Sequence, residues 1–184
     1  MDMFKSIISV AYTEIKFLFL KLAYGGRFCY KGIQRFSPNT EISLSPKGYL
    51  KLGNKVRAHT GTRIKVRRNT KIVIGDDVAF NYNCLMVAHE RIEIGDGCEI
   101  GPGVLFYDHD HDFHRKSIKE KEYRTKPIII GKNCWIGANA IILNGVTIGD
   151  ETVIAAGTIV HSGGVYPSNS LIYQKSQLSF KVLS

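Results

Sequence analysis

The stretch IGKNCWIGANAIILNGVTIGDETVIAAGTI, residues 130–159, repeats itself every six residues. An aliphatic lead recurs at Ile130, Ile136, Ile142, Ile148 and Ile154, and again at Val160. Gly follows the lead at Gly131, Gly137 and Gly149, and a small or apolar residue stands four places after it, at Cys134, Ala140, Val146, Thr152 and Thr158. A fixed hexapeptide period is the mark of a parallel β-helix. Each hexapeptide makes one short strand and one corner, so three of them close one triangular coil. The lead points inward and stacks on its equivalent in the next coil, and Gly or Asn supplies the backbone freedom of the corner. A single coil cannot bury its own faces, so stacked coils share one continuous core.

Working outward, the same period runs back to Leu52 with interruptions. Leu52, Ala58 and Ile64 form one triple; Ile74, Phe80 and Met86 a second; Ile94, Ile100 and Phe106 a third. With the two triples of the opening stretch this predicts about five coils. From Ile130 to Ile148 the step is 18 residues, whereas from Ile94 to Ile130 it is 36, so one coil carries 18 extra residues. The segment HDFHRKSIKEKEYRTKP (His111 to Pro127) is polar and breaks the period, which predicts a loop extruded over about 110–127. It opens within FYDHDHDFH (Phe106 to His114), where three histidines alternate with three aspartates. By itself such a run suits a metal site, an acidic surface loop, or a single histidine presented as a base. Loops held on a rigid scaffold are where chemistry tends to sit.

A chain of 184 residues suffices for one domain with a real core. We expect a lead-in segment with a helix over 1–50 and the β-helix domain over 51–184. The N-terminal run FKSIISVAYTEIKFLFLKLAYGG (Phe4 to Gly26) is apolar but interrupted by Lys5, Glu14, Lys16 and Lys21. That pattern suits an amphipathic helix ending at Gly25-Gly26 better than a membrane span or a secretory signal. Its apolar face either packs on the rest of the protein or touches a membrane surface. The net charge of +9 favours anionic partners, including phosphorylated small molecules. Apart from RIKVRR (Arg63 to Arg68) the basic residues are scattered, and no compact nucleic-acid motif is present, so no nucleic-acid partner is expected. Cys29, Cys84, Cys98 and Cys134 lack CxxC spacing, and three of them share one repeat position, as buried fillers in a reducing cytosol would.

The combination AFNYNC (Ala79 to Cys84), IGPGVLFYDHDH (Ile100 to His111) and IGKNCWIGANAIILNGVTIGD (Ile130 to Asp150) resembles the left-handed β-helix acyltransferases, and most nearly the galactoside, maltose and capsule-sugar O-acetyltransferases. The resemblance covers about Leu52 to Pro167. It implies an all-β, left-handed parallel β-helix, acetyl-CoA as donor, a homotrimer with active sites between neighbouring prisms, and direct transfer in a ternary complex. No metal is expected. The acceptor it implies is a hydroxyl of a sugar or surface-glycan precursor, and the location cytoplasmic or peripheral at the inner face of a membrane. The family's catalytic histidine falls seven residues past Val104, at His111, and its acceptor-binding Asn aligns with Asn81. Its acidic acceptor contact aligns with His89, a departure that leaves the acceptor open. Donor contacts carried over are Ala138 and Ala156, through backbone amides, and His161 and Ser162 along the outer part of the pantetheine arm. The C-terminal turn of the family is replaced by QKSQ (Gln174 to Gln177), so the tail's grip on the nucleotide does not carry over.

A neutral imidazole suits such a reaction because the hydroxyl is the sluggish partner and must lose its proton as it attacks. One of Asp108, Asp110 and Asp112 is a candidate to hold the imidazole tautomer; loop solvation is the plainer reading of all three. His109 and His114 are read as bystanders. Three rival readings are a metal-dependent hydratase resembling the γ-type carbonic anhydrases, an N-acetyltransferase of an amino sugar, and a structural β-helix without catalysis.

Overall fold

The computed structural model describes residues 3–112 and 123–175. Helix α1 (Met3–Tyr24) leads into a prism of parallel strands with three faces. The first face runs from Phe28–Tyr30 to Val165–Tyr166, the second from Arg35–Phe36 to Leu171–Ile172, and the third from Glu41–Leu44 to Ile159–Val160. They hold seven, seven and six strands among the described residues. The all-β parallel β-helix expected from the hexapeptide period is therefore the fold.

The leads form three columns. One is Tyr30, Leu52, Ile74, Ile94, Ile130, Ile148 and Tyr166; the next is Phe36, Ala58, Phe80, Ile100, Ile136, Ile154 and Ile172. The third is Ile42, Ile64, Met86, Phe106, Ile142 and Val160. Ile100, Phe106, Ile136, Ile142 and Ile154 are all at most 2% exposed. Cys84, Cys98 and Cys134 are buried thiols, as the repeat position requires.

The coil count is a correction. About five coils were expected; the prism has about six and a half, with a full coil before Leu52 and two strands after Val160. The first coil escapes the periodic reading because aromatic residues, Tyr30 and Phe36, replace its aliphatic leads. Its lead-to-lead step, Tyr30 to Leu52, is also 22 residues instead of 18.

Helix α1 covers the open end of this first coil. Phe17, fully buried, meets Phe28, Tyr30 and Phe36 edge-on at ring centroid distances of 5.1, 5.1 and 5.0 Å. Buried Thr13 donates to Phe36 O and accepts from Phe36 N–H, so a prism end that has no coil below it still satisfies its polar edge. The outer face keeps Ile8, Ile15, Phe19 and Leu22 exposed. Among the described residues no helix is long and apolar enough to cross a membrane.

Each corner is a stack of its own. Between the second and third faces one residue in each coil after the first adopts positive φ: Gly61, Asn83, Gly103, Asn139 and Gly157. Only Gly and Asn take that conformation at low cost.

Candidate active site

At the corner between the third and first faces the chain leaves the prism after Leu105–Tyr107. His109–His111 then pairs antiparallel with Tyr123–Thr125, the only antiparallel pairing among the described residues. Most of the predicted loop, and His114 with it, lies outside the described residues.

Leaving the coil creates a polar debt in the coil below. The backbone N–H groups of His89, Glu90 and Arg91 face the gap where the next strand would have continued. Asp108 fills it: its fully buried carboxylate accepts from these three N–H groups at 2.7, 2.7 and 2.8 Å. Asp108 is thus neither loop solvation nor the orienter of His111. Its Oδ1 lies 3.3 Å from Nδ1 of His109, whose side chain is 12% exposed. Asp110 accepts from the backbone N–H of His111 at 2.8 Å, and Asp112 pairs with Arg124 at 2.9 Å.

Four rings gather on this frame. His109 stacks on His89 with centroids 3.9 Å apart. Tyr123 meets His89, His109 and His111 at 4.2, 5.3 and 5.0 Å. Tyr123 was not legible in the sequence, because only the return strand of the hairpin brings it back to the histidines. His111, at the outer end, is exposed. Burial, with His109 beside it, lowers the pKa of His89 to about 4.

His89 is therefore neutral at pH 7. Because its folded pKa lies below the value near 6.5 of a free imidazole, the unfolded chain takes up this proton first. Stability contributed at neutral pH is then lost as pH falls from about 6.5 towards 4. In a ring-resonance NMR titration His89 is expected to stay neutral down to about pH 5. A midpoint near 6.5 would show that the imidazole stack is open in solution.

His109 and His111 stand two apart on one strand and so face the same side. Both line a cleft of ≈ 430 Å³ with Tyr107, Asp110, Leu143, Asn144 and Ser162. Of the residues picked from the sequence, His111 and Ser162 thus share one cleft, with His89 next to it through His109. His161, exposed, lines a separate groove with Tyr166, Leu171 and Tyr173.

Asn81, Ala138 and Ala156 lie elsewhere, at the corner between the second and third faces. That corner is stacked by hydrogen bonds from Gly103 N–H to Tyr82 O, Asn139 N–H to Pro102 O and Gly157 N–H to Ala138 O. Asn81 is half-buried there, and its Oδ1 accepts from Tyr82 N–H at 3.2 Å. Within one chain, then, the candidate residues divide between two edges of the prism. Among the described residues no three His, Cys, Asp or Glu side chains form a group suited to a metal ion.

Comparison with known proteins agrees with this architecture. The family model for the hexapeptide repeat of succinyl-transferase matches residues 127–162. Galactoside O-acetyltransferase of Escherichia coli strain K12 is 41% identical over 91 residues, 50% of this chain and 45% of that protein. Nodulation protein L of Rhizobium leguminosarum bv. viciae is 45% identical over 76 residues, 41% of this chain and 40% of that protein. The chain thus spans less than half the length of these curated relatives. A hexapeptide-repeat acetyltransferase of Vibrio cholerae O1 biovar eltor, solved with acetyl coenzyme A, is 26% identical with a TM-score of 0.59; the match covers 88% of this chain and 73% of that one. Fold, repeat and polar excursion together define a parallel β-helix protein that carries a histidine-bearing hairpin at one edge. The chain is thus similar, over part of its length and in fold, to hexapeptide-repeat acetyltransferases.

Proposed function

We propose that this protein transfers the acetyl group of acetyl-CoA to a hydroxyl of a sugar or surface-glycan precursor, with His111 as general base. The observation that carries this reading is the shared cleft of His111 and Ser162 at the edge where the chain leaves the prism. Acyl transfer from a thioester needs a base for the attacking hydroxyl and a site that accommodates the donor arm. An exposed imidazole at the cleft mouth supplies the first. It takes the hydroxyl proton as the oxygen attacks the thioester carbonyl, and returns that proton to the departing thiolate of CoA. The relatives named for O-acetyl transfer to galactosides favour hydroxyl over amine and sugar over other alcohols.

The division of candidates between two corners supports a homotrimer whose sites are shared. Asn81 and the amides of Ala138 and Ala156 on one chain then face His111, His89 and Ser162 on the next. Trp135 and Leu171, 58% and 62% exposed on the second face, give that face an apolar surface suited to a neighbour.

The test measures CoA thiol release and product mass across a panel of free, nucleotide-linked and lipid-linked sugars. Acetylation of at least one sugar hydroxyl is expected; hydrolysis alone, or product on an amine only, overturns the reading. For the shared site, Asn81→Ala and His111→Ala chains are co-expressed. Random trimers should regain roughly a quarter of wild-type sites if each site draws on two chains, and none if a single chain supplies both residues.

A further inference from the structure

On the side of the hairpin away from Ser162 lies a second cleft, of ≈ 540 Å³, lined by Ser45, Arg67, Arg68, His89 and Tyr123. We propose that it binds the phosphate of a phosphate-bearing sugar acceptor, so that the sugar hydroxyl is presented to the histidine hairpin from below while the acyl donor approaches from above. The proposal rests on the acetyltransferase reading and names the class of its acceptor.

Three observations carry it. The first is alignment. Ser45 N–H donates to Val66 O and Arg67 N–H to Ala88 O, so Ser45, Arg67 and His89 succeed one another coil by coil along the edge. Adjacent strands lie about 4.8 Å apart, and His109 stacks directly on His89. The edge therefore leads from a guanidinium through one imidazole to the hairpin in two coil steps. Tyr123 closes the path, touching both His89 and His111.

The second is charge left over. Around this corner, basic side chains of the strands are neutralised: Lys65 pairs with Glu41 at 3.3 Å, Lys71 with Glu93 at 3.5 Å, and Arg91 with Glu93 at 3.4 Å. Arg67 and Arg68 are exposed, and neither is engaged in an ion pair among the described residues. Asn69, held at φ 59°, and its N–H bond to Pro46 O at 3.3 Å fix the turn that carries the two arginines. Two forked guanidinium groups beside a hydroxyl are matched to phosphate oxygens, which accept bidentate donors.

The third is the neighbour between charge and hairpin. With its pKa near 4, His89 is a neutral imidazole at pH 7. It hydrogen-bonds a sugar hydroxyl without competing for the anion. The net charge of +9 adds long-range attraction for an anionic acceptor.

The experiment titrates inorganic pyrophosphate into the full chain by calorimetry, with acetyl-CoA titrated separately, for wild type, Arg67→Gln/Arg68→Gln and Arg67→Lys. Pyrophosphate affinity is expected to fall about 10- to 100-fold in the double variant, to be partly restored by the lysine, and to weaken with salt in wild type. Acetyl-CoA affinity should remain within about twofold. Equal pyrophosphate binding by wild type and double variant overturns the proposal, whatever acetyl-CoA does. Failure of acetyl-CoA to bind wild type instead overturns the acetyltransferase reading. Turnover with a sugar 1-phosphate, a nucleoside-diphosphate sugar and a polyprenyl-diphosphate sugar, each against the neutral methyl glycoside, then identifies the source of the phosphate. Preference for the methyl glycoside over all three counts against the proposal.

Discussion

His111→Ala is expected to lower kcat by about 10²–10⁴, equivalent to roughly 3–5 kcal/mol of transition-state stabilisation, while acetyl-CoA binding stays nearly intact. The ring stands at the outer end of the cluster, exposed at the cleft it shares with Ser162. His109, by contrast, is 12% exposed and held between the Asp108 carboxylate, His89 and Tyr123. His109→Ala should therefore act mainly on KM and cost about tenfold or less in kcat. Single-turnover measurements with the same acceptor separate the two effects. Because the two histidines share one side of the strand, a reversal of the pattern, with His109→Ala inactive and His111→Ala active, would move the base one pleat inward and leave the fold untouched.

Asp108→Ala should be the most damaging single change to stability near the site. It strips the acceptor from three backbone N–H groups at once, in a place where no water-exposed strand replaces it. Orphaning buried donors costs about 1–3 kcal/mol each, less whatever relaxation recovers; a net loss of about 3–5 kcal/mol is expected. For a chain of this size that lowers Tm by roughly 10 °C. Amide exchange at His89, Glu90 and Arg91 should quicken together. Asp108→Asn, which keeps one acceptor oxygen, should lie between. Unchanged exchange at these amides would mean that the carboxylate is not what holds the corner.

The sequence carried the prism because hexapeptide leads and corner residues are local signals that repeat. Ile130 to Val160 could be assigned face by face from spacing alone. The first coil was not legible in the same way: Tyr30 and Phe36 break the aliphatic pattern, and their burial depends on Phe17, far away in α1. At the site, the family resemblance pointed to His111, Ser162 and His89, which the structure brings to one edge. It could not show that Asp108 turns inward while Asp110 and Asp112 stay near the surface, because a carboxylate's role is set by the N–H groups missing a partner beneath it. Tyr123 and the unpaired charges of Arg67 and Arg68 became visible only when the return strand and the neighbouring coils were in place.

The excursion leaves and re-enters the prism at a single seam. Lys126 N–H donates to Asp108 O at 3.0 Å, and Ile94 still pairs with Ile130 across the 36-residue step. The coils therefore keep no record of how long the inserted segment is, nor of what it contains. A prism of this kind behaves as a rack with one open slot: its core can remain under strict selection for packing while the segment in the slot is lengthened, shortened or exchanged as a cassette. A change of acceptor then calls for rewriting the cassette and the few corner residues that face it, and asks nothing of the hydrophobic columns that hold the rack together.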